Sequence, residues 1–122
     1  MRQNQKTRAY GPHLLLDCYD ADSDKLADVG LVFRFLDKLP KLIGMQKIGP
    51  PQMAKFDDPE IAGVTGIVMI VTSHISIHTY ALKKCFFMDV FSCQAFDRKA
   101  VEKYARDTFD VGCMESKLVS RG

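Results

Sequence analysis

The segment TSHISIHTY, residues 72–80, alternates polar and apolar side chains in the pattern of a β-strand. Successive side chains of a strand point to opposite faces of a sheet. Ile75 and Ile77 are predicted to face a core, and the polar residues between them are predicted to share the other face. These polar residues are His74, Ser76, His78 and Tyr80. The pattern predicts a sheet with one buried face and one face rich in hydrogen-bonding groups.

The rest of the chain predicts more strands, with helices between them. The predicted strands cover residues 10–19, 45–48, 64–80, 85–93 and 112–119. A first helix begins at Asp22 or Ser23, and Pro40 is expected to end or kink it. A second helix spans residues 97–109 behind an Asp97 cap. The predicted fold class is α+β, a two-layer sandwich with a mainly antiparallel sheet and helices on one face.

Two finer predictions concern the first helix and the segment after it. The helical period predicts one apolar stripe, formed by Leu26, Val29, Phe33, Leu36 and Leu39. The segment GPPQMAKFDDPE, residues 49–60, is dense in Pro and Asp and predicts a loop without regular structure.

Length and charge restrict the class of protein. With 122 residues, the chain predicts one domain, residues 1–122, that is large enough for its own core. The net charge of +2 favours neither a nucleic acid nor a membrane surface as partner. No apolar run approaches the roughly 20 residues that span a bilayer, so a cytoplasmic location is expected. RQNQKTR, residues 2–8, is expected to be a frayed arm.

The cysteines and histidines allow more than one interpretation. The four cysteines form no CxxC pair, and most are expected to be small buried hydrophobic residues without disulfides. His13, His74, His78 and Cys93 could supply four metal ligands, but no carboxylate or CxxC cluster accompanies them, so no metal is expected. The polar face of residues 72–80 could also simply meet solvent. Covalent chemistry is the third interpretation, because it uses hydroxyl, imidazole and thiol groups.

A family resemblance favours the covalent interpretation. SHISIHT followed by MDVFSC resembles the bacterial S-adenosylmethionine decarboxylases, which carry a Ser-His-x-[Ser/Thr]-Ile-His-Thr strand and then an Asp-[Val/Leu]-[Phe/Tyr]-[Ser/Thr]-Cys strand. The resemblance extends over nearly the whole chain, through GPHLLLDCY, AGVTGIVMIV and the terminal SRG.

The resemblance implies a proenzyme of polyamine and spermidine biosynthesis that cleaves itself between Thr72 and Ser73. The Ser73 hydroxyl would attack the preceding carbonyl, and β-elimination would leave a pyruvoyl group as cofactor. His78 is similar to the histidine that assists proton removal, with Thr65 in a supporting position. The pyruvoyl group would act as the electron sink through a Schiff base with a small-molecule substrate. Cys93 matches the acid that reprotonates the α-carbon, and a homodimer with sites near its interface is implied.

The sequence departs from the family pattern at the substrate contacts. Thr72 replaces a glutamate before the cleaved serine, and Tyr80-Ala81-Leu82 replaces Trp-Pro-Glu. Leu82 therefore stands where the family's glutamate holds the ribose of S-adenosylmethionine. This change favours L-arginine or L-ornithine over S-adenosylmethionine, the family default. Carboxylates that could pair with the distal charge are Asp17, Asp20, Asp57, Asp58 and Glu60.

A second functional class stays open beside the enzyme. The chain could be an uncleaved regulatory homologue that binds an active partner subunit. Self-cleavage distinguishes the two, because only the enzyme needs it.

Overall fold

The computed structural model describes residues 10–122 as a sheet of six strands with three helices. The arm expected at residues 2–8 lies outside the described residues. The elements are β1 (Gly11–Tyr19), α1 (Ser23–Leu26), α2 (Val29–Leu42), β2 (Gln52–Phe56), β3 (Gly63–Ile70), β4 (Ser73–Tyr80), β5 (Cys85–Phe91), α3 (Arg98–Phe109) and β6 (Cys113–Arg121). Within residues 10–122, no helix has the length and apolar character needed to cross a membrane.

The sheet is antiparallel throughout, in the order β2-β3-β4-β5-β1-β6. Alternate residues of the four inner strands are buried, Ile75 and Ile77 on β4 among them, whereas the edge strands β2 and β6 have no buried residue. Phe109 of α3 packs against Phe35 of α2 and Phe86 of β5, with ring centroids 5.1 and 4.9 Å apart. This packing confirms the predicted two-layer α+β sandwich with helices on one face. The opposite face of the sheet, here called the open face, carries the polar residues of β4.

The first predicted helix is two helices in the structure. Asp28 interrupts the helical run because its side chain accepts a hydrogen bond from the backbone nitrogen of Leu31 and caps α2. The predicted apolar stripe is therefore partly wrong, since Val29 at the new helix start is 38% exposed. Val32 and Phe35 take the buried positions instead. Pro40 lies in the last turn, and α2 ends two residues after it.

The predictions for residues 45–60 are also corrected. Residues 45–48 form no strand and make only a single bridge, Lys47 to Ile70, with positive-φ glycines on both sides at Gly44 and Gly49. The predicted loop instead contains β2, which pairs with β3 at the edge of the sheet. Pro50 and Pro51 precede this strand and Pro59 follows it, so no ladder hydrogen bond is lost to a proline.

The predicted strand 64–80 is wrong as one element. It folds into β3 and β4, which are joined by a two-residue turn at Val71 and Thr72, because Ile70 pairs directly with Ser73. Two β-branched residues give no turn signal in the sequence. The alternation predicted from residue 73 onward is nevertheless observed. The Thr72–Ser73 bond thus lies at an end of the sheet.

Candidate active site

The β3–β4 turn brings Thr72 and Ser73 against the residues that follow β5. Cys93 lies two residues beyond the end of β5, and its thiol is hydrogen-bonded to the side chain and backbone of Thr72. These hydrogen bonds lower the pKa of the Cys93 thiol below its ordinary 9.0. Ser73 is half-buried, with a φ of 154° that L-residues rarely adopt. Residues with such strained backbones cluster at functional sites.

The four cysteines differ in ways that separate Cys93 from the rest. Cys18 is fully buried, and burial raises the pKa of its thiol to about 12, so it is an inert core residue as predicted. Burial also raises the pKa of half-buried Cys85. Cys93 and Cys113 are exposed, so the prediction that most of the four cysteines are buried is wrong. All four thiols are free, and Cys93 combines exposure with a lowered pKa.

His78 and Thr65 form a second group on the open face. They pair across β3 and β4, and Thr65 Oγ1 lies 3.2 Å from His78 Nδ1. His78 lies five residues along β4 from Ser73, which places it roughly 16 Å away at the usual strand rise. A base must approach within about 3 Å of the hydroxyl that it deprotonates. Within one chain, Thr72, Ser73 and Cys93 therefore lie at the same end of the sheet, and His78 lies apart from them.

Asp89 is a residue of the open face that the sequence reasoning missed. Its Oδ2 accepts hydrogen bonds from the Nε2 atoms of His13, at 2.6 Å, and His74, at 2.9 Å. The Ser76 hydroxyl donates to its other oxygen. Partial burial raises the pKa of Asp89, but the hydrogen bonds from Ser76, His13 and His74 outweigh it and hold this pKa below its usual value. Asp89 belongs to the quoted MDVFSC motif, but only the register of β4 and β5 places it opposite Ser76.

The same cluster decides which residues could hold a metal ion. Ligand atoms of His13, His74 and Asp89 lie within 4.8 Å of one another, and a divalent cation accepts such ligands. In the structure these atoms are already hydrogen-bonded to each other. The four-ligand set considered from sequence is not assembled, because His78 lies four residues along β4 from His74.

The candidate substrate contacts lie near the His78 end of the sheet. Leu82 is 67% exposed, in the turn between β4 and β5, and offers no hydrogen-bond acceptor from its side chain. Asp17 is half-buried and lines a shallow pocket of about 180 Å³ together with His78 and Phe87. The other candidate carboxylates are exposed, namely Asp20, Asp57, Asp58 and Glu60.

The chain is similar over most of its length to known proteins. The sequence profile described as S-adenosylmethionine decarboxylase matches residues 12–122. The S-adenosylmethionine decarboxylase proenzyme of Clostridium botulinum, strain Langeland, is 29% identical over 113 residues, covering 92% of this chain and 94% of that protein. The proenzyme of Sulfurihydrogenibium sp. is 29% identical over 117 residues, covering 94% and 84%. The crystal structure of the Aquifex aeolicus adenosylmethionine decarboxylase matches with a TM-score of 0.81 and 28% identity, covering 94% and 92%.

These similarities define the class of protein as a pyruvoyl-dependent decarboxylase that acts on a small molecule. The chain belongs to the S-adenosylmethionine decarboxylase family. Proteins of this family are made as proenzymes, and their pyruvoyl cofactor forms from a serine of the chain by self-cleavage.

Proposed function

We propose that the chain cleaves itself between Thr72 and Ser73, and that the processed enzyme decarboxylates L-arginine or L-ornithine. One observation carries the cleavage site. Ser73 begins β4 with a strained backbone at a tight turn, and the Cys93 thiol is hydrogen-bonded to the residue before it. The serine that would become the cofactor thus lies beside the thiol that would act on the substrate. Direct measurement of chain cleavage tests this proposal.

The residues at the turn fit the chemistry of cleavage. A base removes the Ser73 proton, Oγ adds to the Thr72 carbonyl carbon, and the peptide C–N bond breaks as the Ser73 nitrogen takes up a proton. Loss of the Ser73 α-proton then expels Thr72 as a carboxylate. Water converts the remaining enamine to a keto group and releases ammonia. The products are residues 1–72 and a chain that begins with the pyruvoyl group.

The base is proposed to come from a second copy of the chain. Within one chain, His78 is roughly 16 Å from Ser73 by strand geometry, too far for proton transfer. The open face also exposes apolar side chains, which a second sheet could cover. They are Leu15, Ile67, Met69 and Val119. A homodimer would let His78 and Thr65 of each chain serve Ser73 of the other.

Mixed dimers test this arrangement. His78→Ala alone is expected to stay largely uncleaved. When it is co-expressed with Ser73→Ala, one site of each mixed dimer regains an intact Ser73 and an intact His78. The His78→Ala chain should then be cleaved, as seen by mass spectrometry of differently tagged chains.

The matched control pairs His78→Ala with Thr65→Ala. His78 and Thr65 belong to the same half of the shared site. In this mixed dimer, one site therefore has His78 without Thr65, and the other site has Thr65 without His78. Less restoration is therefore expected than in the Ser73→Ala mixture. Full cleavage of His78→Ala alone, or no cleavage in the Ser73→Ala mixture, would contradict the shared site.

Cys93 is proposed as the acid of the decarboxylation. The pyruvoyl group at position 73 supplies an electron sink when formed. After carbon dioxide leaves, the substrate α-carbon needs a proton, and the Cys93 thiol is the nearby donor. Its lowered pKa moves it toward the neutral range in which a general acid works best.

The pH dependence follows from this role. Because the thiol must carry its proton, decarboxylation by wild-type enzyme is expected to decline as pH rises through the lowered pKa of Cys93, beginning below pH 9.0. Cys93→Ala should undergo self-cleavage normally, but its rate of decarboxylation should fall about a hundredfold. This is the lower end of the range for a lost general acid, because water can reach this exposed site and donate the proton instead. Labelled carbon dioxide release from pH 6 to 10, the range of this assay, checks both. An unchanged alkaline decline in the variant would exclude Cys93 as its source.

The substrate proposal depends on Leu82 and Asp17. Leu82 offers no acceptor for ribose hydroxyls. Asp17 shares the pocket with His78 and lies two strands from it, roughly 10 Å at the usual strand spacing. In the proposed dimer, Asp17 of the partner subunit would thus come near Ser73 with His78. A half-buried carboxylate there suits the distal cation of arginine or ornithine.

A further inference from the structure

We infer that His13, His74 and Asp89 form a clamp that holds the chain end created by self-cleavage, with Asp89 as its positioning residue. The inference rests on the proposed function, because only cleavage creates that end. The family motif, as it stands in this sequence, assigns these three residues no role in the reaction. One of the three, His74, would nevertheless carry the cofactor, and Asp89 links it to His13.

His74 is the residue next to the serine of the proposed cleavage site. His74 follows Ser73 directly, so after cleavage its backbone nitrogen carries the pyruvoyl group. Before cleavage, the turn at Val71 and Thr72 holds the start of β4 to β3. Once the bond is cut, that covalent restraint is lost. Free strand ends fray readily, which would let the pyruvoyl carbonyl move away from Cys93.

The clamp replaces the lost restraint with side-chain contacts. Asp89 Oδ2 accepts from His74 on β4 and from His13 on β1, while Asp89 itself belongs to β5. Three neighbouring strands are therefore joined at one carboxylate oxygen. The Asp89 side chain is 18% exposed, so water competes weakly for these bonds. Hydrogen bonds to an ionised carboxylate are stronger than neutral ones.

Aromatic packing fixes the orientation of the same histidines. The Phe91 ring lies 5.1 Å from the His13 ring and 6.2 Å from the His74 ring, centroid to centroid. The Arg121 guanidinium lies over the Phe91 ring, 4.5 Å from its centroid. The His74 side chain is thus restrained both by its hydrogen bond and by its ring contact. This restraint lies one residue from the proposed cofactor.

A clamp and an ordinary stabilising contact predict different results. An ordinary contact in the sheet would stabilise β4 equally before and after cleavage. A clamp matters chiefly when the chain end is free. The Ser73→Ala chain, which cannot be cleaved, supplies the state without a free end.

The experiment compares hydrogen exchange of residues 74–76 in cleaved and uncleavable chains, by peptide mass spectrometry on the full-length protein. Asp89→Ala is made in the wild-type and in the Ser73→Ala background. Exchange is expected to speed up about tenfold or more in the cleaved chain, from the loss of charge-assisted hydrogen bonds, and to change little in the uncleavable one. Asp17→Ala, another half-buried carboxylate of the open face, is the matched control and should change neither.

The possible outcomes distinguish the clamp from self-cleavage itself. Equal acceleration in both backgrounds, or none in either, overturns the clamp while cleavage itself stands. An intact wild-type chain overturns the proposed function, and the clamp with it. If Asp89→Ala blocks cleavage, His13→Ala is used in its place. It removes only the hydrogen bond between β1 and Asp89, and hydrogen exchange of the cleaved chain is then expected to accelerate less.

Discussion

Ser73→Ala is expected to remain a single chain of 122 residues, whereas the wild-type protein separates into residues 1–72 and a second fragment. Alanine has no hydroxyl to attack the Thr72 carbonyl, so the effect should be complete. The new fragment should begin with a pyruvoyl group in place of Ser73. Denaturing electrophoresis shows the split, and mass spectrometry of the intact fragments shows the new end group.

Ser76→Ala is the matched control for that result. Ser76 lies on the same strand, three residues after Ser73, but its side chain points to the opposite face, where its hydroxyl donates to Asp89. This variant should still be cleaved. A wild-type chain that stays intact after long incubation would contradict self-processing and favour the regulatory homologue.

Substrate preference is the second large effect. Processed wild-type enzyme is expected to release labelled carbon dioxide from L-arginine or L-ornithine and to turn over S-adenosylmethionine weakly or not at all. Losing the acceptor for two ribose hydroxyls at Leu82 costs about 2–4 kcal/mol, which corresponds to roughly thirtyfold to a thousandfold in affinity. Efficient release from S-adenosylmethionine alone would contradict the altered substrate while leaving the cleavage mechanism intact.

Leu82→Glu tests the reason for this preference. The residue is exposed in a turn, so the substitution should not disturb the core. It is expected to raise kcat/KM for S-adenosylmethionine by up to about a thousandfold. Leu82→Met keeps an apolar side chain of similar size and should leave the preference unchanged. If both variants behave alike, the side chain at this position does not select the substrate.

Local sequence signals predicted much of the fold. The alternation after residue 73 is observed on β4 because one face of that strand is buried against the helices. Asp97 caps α3 as predicted, because its side chain accepts from the backbone nitrogens of Lys99 and Ala100. The predictions failed where tertiary contacts outweighed local preference. β2 forms in a segment rich in Pro and Asp because the edge of β3 supplies its hydrogen-bond partners.

For the candidate site, the sequence by itself determined the motif and the residue types from which the reactive groups were predicted. Hydroxyl, imidazole and thiol groups in family spacing indicated Ser73, His78 and Cys93. Tertiary structure alone decided which of them meet. The turn at Val71 and Thr72 brings Thr72, the neighbour of Ser73, to Cys93, whereas the length of β4 keeps His78 away from both. Spacing along a chain does not give distance in space, because strand pairing and a reversal of direction determine which side chains become neighbours.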